Sequence, residues 1–219
     1  MTAIVESGAV ITAVLWDFGG VILSSPFEAF RHYEDSRGLP AGFIRGVNAA
    51  DPHANAWARL ERSEITATEF DDIFARESAA LGHEVRGADL LGLLAGEVRA
   101  EMVTALDRVK AAGLATACLT NNIARDGAGT YDDRPEVAAV MARFDVVLES
   151  SRLGVRKPEP AFYTLACERL GVTPENCAFL DDLGVNLKPA RAMGMTTIKV
   201  EDPALAIAEL GAVLDLDLS

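Results

Sequence analysis

The stretch VITAVLWDFGG, residues 10–20, decides the fold. The run from Val10 to Trp16 is almost wholly apolar and rich in β-branched or bulky residues. An aspartate and two glycines follow at once. That is the pattern of a short buried strand closed by a tight turn. A strand without polar alternation belongs to a parallel sheet covered on both faces. Further runs of the same kind should therefore follow, with helices between them.

They do. ATACL at 115–119 ends at Thr120, Asn121 and Asn122, and FDVVL at 144–148 ends at Glu149 and Ser150. CAFL at 177–180 ends at Asp181 and Asp182, and TTIKV at 196–200 ends at Glu201 and Asp202. Helical patterns fill the intervals. Glu97–Ala112 places Val98, Met102, Leu106 and Val109 at helical spacing and stops at Gly113. Glu159–Leu170 follows Pro158 and stops at Gly171, and Thr173 heads a short turn through Pro174 and Glu175. This alternation predicts an α/β fold built on a doubly wound parallel sheet.

From about Pro26 to Leu94 the alternation fails. Helical patterns occur at Phe27–Arg37, Ala54–Arg62 and Thr68–Leu81, with no convincing strand among them. The division this predicts is an α/β core from residues 1–24 and 95–219, with a helical cap domain inserted as 25–94. The Gly- and Asp-rich stretch Asp126–Asp133 reads as a loop at the sheet edge.

Every apolar run is closed by polar residues on its C-terminal side. In open parallel sheets that edge binds ligands, so Asp17, Thr120, Asp181 and Asp182 are expected to converge. Three carboxylates at contact distance are mutually costly unless a pKa rises or a cation sits between them. Hard oxygen donors in a small site suit Mg²⁺ rather than zinc. With the Thr120 hydroxyl, the amides of the Gly-Gly turn and the candidate cation Lys157, the edge becomes a cradle for a phosphate group. An aspartate at its centre can attack phosphorus and form an aspartyl-phosphate.

Bulk composition narrows the partners. Thirty-three acidic against 20 basic residues give a net charge of −13, which disfavours nucleic acid and anionic membrane. No apolar run approaches the length of a membrane span, and the N-terminal stretch lacks a signal-peptide pattern. Cys118, Cys167 and Cys177 read as small core residues, and His32, His53 and His83 lack zinc-ligand spacing. The expectation is a soluble cytoplasmic protein, monomer or homodimer, acting on a small phosphorylated molecule.

DFGGVI at 17–22, LTNN at 119–122, RKPEP at 156–160 and FLDDLGVNLKPARAMGM at 179–195 together resemble the four ordered motifs of the haloacid dehalogenase superfamily. The likeness is strongest to the phosphatase domain of soluble epoxide hydrolases and to the phosphatase-like domain fused to some acyl-CoA dehydrogenases. It covers the core and only faintly the cap. The resemblance implies Asp17 as nucleophile and metal ligand, and Thr120 and Asn121 as the phosphate-binding pair. It implies Lys157 as the catalytic cation, and Asp182 with Asp181 as further Mg²⁺ ligands. It also implies that the Gly19 carbonyl binds the metal and that Asn186 holds the metal-site loop. The pattern departs from the family at the Gly19 side chain, because most phosphatases of the superfamily read D-x-D and use the second aspartate as acid and base. The expected function is therefore Mg²⁺-dependent hydrolysis of a small phosphate monoester, slowed by Gly19. The rivals are a catalytically weak regulatory module that binds phosphate and Mg²⁺, and a metal-independent haloacid dehalogenase.

Overall fold

Five strands, Ala13–Trp16 (β1), Ala115–Thr120 (β2), Val146–Glu149 (β3), Cys177–Asp181 (β4) and Thr196–Lys199 (β5), pair in the order β3-β2-β1-β4-β5. All the pairings are parallel. They are seen in a computed structural model that describes residues 10–123 and 134–218. The loop expected over Asp126–Asp133 lies outside the described residues.

Each apolar run supplies one strand, with shifted ends where side chains intervene. Residues 10–12 stay outside β1, where Thr12 N donates to Asn176 O at 2.8 Å and Asn176 Nδ2 donates to Val10 O at 2.7 Å. The run at 144–148 begins pairing only at Val146. Phe144 turns into the core, and the Asp145 carboxylate accepts from Thr116 N at 2.8 Å and Thr116 Oγ1 at 2.9 Å.

The helices are Phe27–Arg37 (α1), Phe43–Ala50 (α2), Ala56–Glu61 (α3), Ala67–Ala80 (α4), Gly87–Leu91 (α5), Ala100–Ala111 (α6), Pro135–Met141 (α7), Ser150–Leu153 (α8), Pro160–Leu170 (α9), Gly184–Ala192 (α10) and Pro203–Leu214 (α11). Helix α6 starts later than its periodicity suggests because the preceding residues pair with the chain leaving the first turn. Leu23 and Val98 form an antiparallel bridge, Ser24 N donates to Glu97 O at 2.8 Å, and Arg99 N donates to Ile22 O at 2.9 Å. Helix α4 opens with a capping box, Thr66 and Glu69 satisfying each other's backbone N–H groups. No helix among the described residues is long and apolar enough to cross a membrane.

The two faces of the sheet bury different side chains. Val14, Trp16, Cys118, Leu180 and Ile198 pack with Met102, Leu106, Val137 and Leu210 of α6, α7 and α11. Ala13, Leu15, Ala117, Leu119 and Phe179 pack with Phe162, Tyr163, Leu187 and Ala190 of α9 and α10. A fully buried large apolar side chain is worth about 1.5–3 kcal/mol. A one-residue slip of any strand would exchange its two sets, so the register is strongly specified. Helices α1–α5 bury a third cluster around Phe30, Ile44, Leu60, Phe70 and Phe74, which Ile123 joins from beyond the end of β2.

Candidate active site

The register places the site. Leu15 lies opposite Ala117 on β2 and Phe179 on β4, and Trp16 lies opposite Leu180. Asp17 continues the ladder, its N–H donating to Leu180 O at 2.8 Å. Side chains alternate along strands, so Asp17 and Asp181 share the face of Leu15 and Phe179. Lys157, in the segment between α8 and α9, meets them there, its Nζ 5.7 Å from the Phe179 ring centroid.

Lys157 Nζ sits 2.7 Å from Asp17 Oδ1 and 2.7 Å from Asp181 Oδ2. Its side chain is 1% exposed and that of Asp181 0%. Carboxylate oxygens of Asp17, Asp181 and Asp182 lie within 4.8 Å of one another. Burying an ion costs on the order of several kcal/mol even after relaxation, so this cluster persists only through mutual compensation. Burial opposes the charge on Lys157, but the Asp17 and Asp181 carboxylates outweigh it and hold the ammonium pKa above its ordinary value. Burial first, then Asp181 and Asp182, push the Asp17 carboxyl well above the usual carboxylate range against the pull of Lys157. Burial and the neighbouring Asp181 push Asp182 up to about 6. Three carboxylates against one ammonium leave an excess of negative charge, and the donors are all hard oxygens. That set fits Mg²⁺.

The members of the cluster differ in how far the protein already occupies them. Asp17 Oδ1 accepts from Phe18 N at 2.6 Å. Asp181 Oδ1 accepts from Leu183 N at 2.8 Å, and Asn186 Nδ2 lies 3.0 and 3.1 Å from its two oxygens. Asp182 is held more loosely, by its own backbone N–H and by a long contact from Ser25 Oγ, 3.5 Å from its Oδ2. It is the most open of the three.

The turn after β1 makes room for it. Gly20 has φ +81°, and a Cβ there would fall 2.3 Å from Asp182 Oδ2. The Gly20 carbonyl accepts from Arg99 Nη1 at 3.1 Å. Gly20→Ala combines a left-handed backbone, costing an L residue about 1–2 kcal/mol, with displacement of Asp182. The thermal midpoint is expected to fall by roughly 2–8 °C, and divalent-cation affinity should fall with it, read by unfolding and by calorimetric titration. Gly19 differs from its neighbour. Its φ is −73° and ψ 128°, and a Cβ there meets nothing within 4 Å.

The residues expected to take a phosphate lie at and just beyond the end of β2. Thr120 is 1% exposed, and its side chain makes no hydrogen bond among the described residues. Asn121 is placed differently from a ligand-facing side chain. Its Nδ2 donates to Lys157 O and its Oδ1 accepts from Lys157 N, both at 2.9 Å. The carboxamide clamps the backbone of the lysine.

Residues that sequence reasoning passed over complete the frame. Asn122 Nδ2 donates to Glu149 Oε1 at 2.8 Å, Asn122 Oδ1 accepts from Ser151 Oγ at 2.9 Å, and Asn122 N donates to Ser150 Oγ at 3.0 Å. These bonds tie the ends of β2 and β3 together. The adjacent polar residues closing both runs were the only signal for them. Ser25 and Arg99 carried none.

An aspartate and a lysine in contact at the carboxyl edge of a parallel sheet, with two more carboxylates beside them, define a carboxylate-centred α/β protein. The profile of the haloacid dehalogenase-like hydrolases matches residues 11–194. The chain belongs to that family. It is 31% identical to Phosphatase MT3486 of Mycobacterium tuberculosis (strain CDC 1551 / Oshkosh), covering 94% of this chain and 97% of that protein. It is 33% identical to Acyl-CoA dehydrogenase family member 10 of Mus musculus over 97% of its own length, and 32% identical to Bifunctional epoxide hydrolase 2 of the same species over 90%. It spans only 20% and 38% of those two longer proteins. The fold also matches a crystal structure described as a dehalogenase, with TM-score 0.63 at 19% identity over 98% of this chain and all of that one. A Bacteroides thetaiotaomicron family enzyme in complex with magnesium and inorganic phosphate matches with TM-score 0.56 at 19% identity, over 88% and 96% of the two chains.

Proposed function

We propose that the chain hydrolyses small phosphate monoesters with Asp17 as the nucleophile. The observation that carries this reading is the buried lysine held 2.7 Å from both Asp17 and Asp181, with the buried Thr120 hydroxyl at the end of the neighbouring strand β2. An ammonium held against the nucleophile candidate at the carboxyl edge, where β2 also ends in a hydroxyl, supports phosphoryl chemistry there. An Asp17 oxygen bonds to phosphorus as the ester P–O bond breaks, and the leaving alkoxide takes a proton from solvent water. Water then attacks the acyl-phosphate at phosphorus, releasing inorganic phosphate and restoring Asp17. Lys157 and the Thr120 hydroxyl hold the phosphoryl oxygens, and the Asn121 carboxamide fixes Lys157. The helical residues 25–94 act as the cap that encloses the leaving group. Asp17 and Asp182, with the Gly19 carbonyl, would hold Mg²⁺, and Asp181 would contribute through water because its oxygens already hold protein donors. When bound, the ion would neutralise phosphoryl charge.

The similarity to a protein named as a phosphatase over nearly the full length of both chains supports the same reading. A metal-independent dehalogenase is disfavoured because the carboxylates in surplus over Lys157 would repel a carboxylate substrate. The test is phosphate release from a panel of sugar, alkyl and nucleotide monophosphates, with Mg²⁺ and with chelator. Activity is expected only with the metal. Full turnover in chelator with halide release from a 2-haloacid would overturn the proposal.

Gly19 favours one alternative, a weak phosphate-binding module without an acid/base group. The open space around Gly19 and its ordinary φ mean that a Cβ can be added there without clash or backbone strain. Gly19→Asp is expected to raise turnover of an alkyl phosphate about 10-fold or more, the low end of a general acid/base contribution. A folded, Mg²⁺-binding variant with no gain, alongside a rapid wild type, would show that another group already moves the proton. Absence of any phosphorylated enzyme in either form would favour the binding module.

A further inference from the structure

The lysine at the centre of the site sits in a segment gripped from both sides. Lys157 reaches Asp17 through a flexible side chain, so its Nζ is only as well placed as its backbone. Asn121 fixes that backbone from the sheet side with the reciprocal pair described above. The other side is held by the end of helix α3. Arg156 Nε lies 2.5 Å from Glu61 Oε2 as an ion pair, their side chains 13% and 9% exposed, and neither of these buried atoms makes a hydrogen bond among the described residues. Arg156 Nη1 also donates to Pro52 O at 3.1 Å. Two residues beyond the lysine the grip is repeated more weakly, with Arg62 Nη1 3.3 Å from Glu159 Oε1, and Ser63 Oγ nearby donates to Ser151 O at 2.8 Å.

Glu61 is itself aimed. Its Oε1 accepts from Trp57 Nε1 at 2.9 Å, one helical turn away. Trp57 packs edge-on against Phe30 and Phe70, with ring centroids 6.3 and 5.3 Å apart, in the aromatic part of the helical cluster. A continuous set of contacts therefore runs from that cluster through Trp57, Glu61 and Arg156 to Lys157. An ion pair this buried is poor evidence of added stability, since desolvation offsets much of its attraction. Its geometry fixes one segment against another, and that is a reason to place it beside a lysine whose position matters.

We infer that Glu61 is a positioning residue for Lys157, acting through Arg156 to lock the lysine segment against helix α3. The inference rests on the proposed role of Lys157 in phosphoryl transfer. A misplacement of about 1 Å at a reacting group can cost about 10²-fold in rate, so a partial release should cost less than loss of the lysine.

The experiment compares Glu61→Gln, the doubly neutral Glu61→Met with Arg156→Met, and Lys157→Ala, alone and combined with Glu61→Gln. The substrate is an aryl phosphate with Mg²⁺. Glu61→Gln keeps the Trp57 acceptor while removing the charge and replacing the oxygen that faces Arg156 by an N–H donor, and the Met pair leaves no uncompensated ion if the single change folds poorly. Both are expected to lower kcat about 10-fold with KM within about 2-fold. In the Lys157→Ala background Glu61→Gln should have no further effect on kcat, because its route is gone. An equal loss in both backgrounds would mark a general structural role and overturn the inference. So would wild-type kcat in the folded Glu61 variants while Lys157→Ala is impaired. If Lys157→Ala itself keeps wild-type turnover, the proposed function fails first, and the positioning role falls with it.

Discussion

Asp17→Asn is expected to abolish phosphate release, by about 10⁴-fold or more if loss of this nucleophile costs what it does in other covalent enzymes. The same variant should be at least as stable as the wild type. The amide is isosteric, and its Oδ1 can still accept the Phe18 N–H that shapes the turn. What it removes is a negative charge that the fold tolerates poorly. Asp17 titrates above its ordinary 3.8 because of burial and the neighbouring Asp181 and Asp182. A carboxyl with a raised folded-state pKa costs nothing where it is protonated in both states. The cost grows as pH rises from the unfolded value toward the folded one and is complete above it. At neutral pH without metal, wild type carries that penalty and the amide variant does not. Melting measured in chelator should therefore show an equal or higher midpoint for Asp17→Asn, while mass spectrometry detects a phosphoryl group on wild type alone after reaction with an acyl phosphate. Retention of a tenth of wild-type turnover by Asp17→Asn, or a phosphoryl group on that variant, would remove Asp17 from the nucleophile's role.

The convergence of Asp17 and Asp181 was legible because it follows from short-range rules. Both residues close an apolar run, and in a parallel sheet runs in matched register bring their ends together. Lys157 was a candidate cation from its residue type, but its catalytic role followed only from the family motif, since a lysine in a segment between two helices has no periodicity to locate it. The direction of the Asn121 carboxamide was not legible at all. A polar side chain after a strand can face ligand or backbone, and the choice is made by the lysine segment arriving from far along the chain. The Glu61–Arg156 pair was hidden for the same reason. Glu61 belongs to a stretch that looks like solvated helix surface and Arg156 to an inter-helix segment, and only the packing of α3 against the lysine segment buries them. Gly20 was visible as half of a turn. That it gives way to the Asp182 carboxylate depends on β4 lying next to β1, which a sequence pattern does not specify.

Lys157→Ala should disturb the same cluster in the opposite sense from Asp17→Asn. The lysine is the group that balances Asp17 and Asp181 at 2.7 Å each. Burial alone would push its proton off, yet the two carboxylates hold it charged, so it supplies a full positive charge throughout the neutral range. Deleting it leaves buried carboxylates facing one another and an incoming phosphoryl group. Loss of one partner from a buried ion cluster typically costs about 3–5 kcal/mol, so the variant should melt lower than wild type in chelator. Turnover should fall about 10²–10³-fold, the scale seen when a preorganised electrostatic contact to the reacting group is removed. Inorganic phosphate should bind more weakly as well, since the charge it approaches has gone. Both substitutions damage catalysis, but one removes surplus negative charge and the other removes its compensation, so Lys157→Ala should melt below wild type while Asp17→Asn should not. Thermal unfolding of the two variants side by side, at neutral pH and without metal, reads that difference directly. Equal stabilities, or a Lys157→Ala protein that melts higher, would mean that the lysine does not hold these carboxylates together.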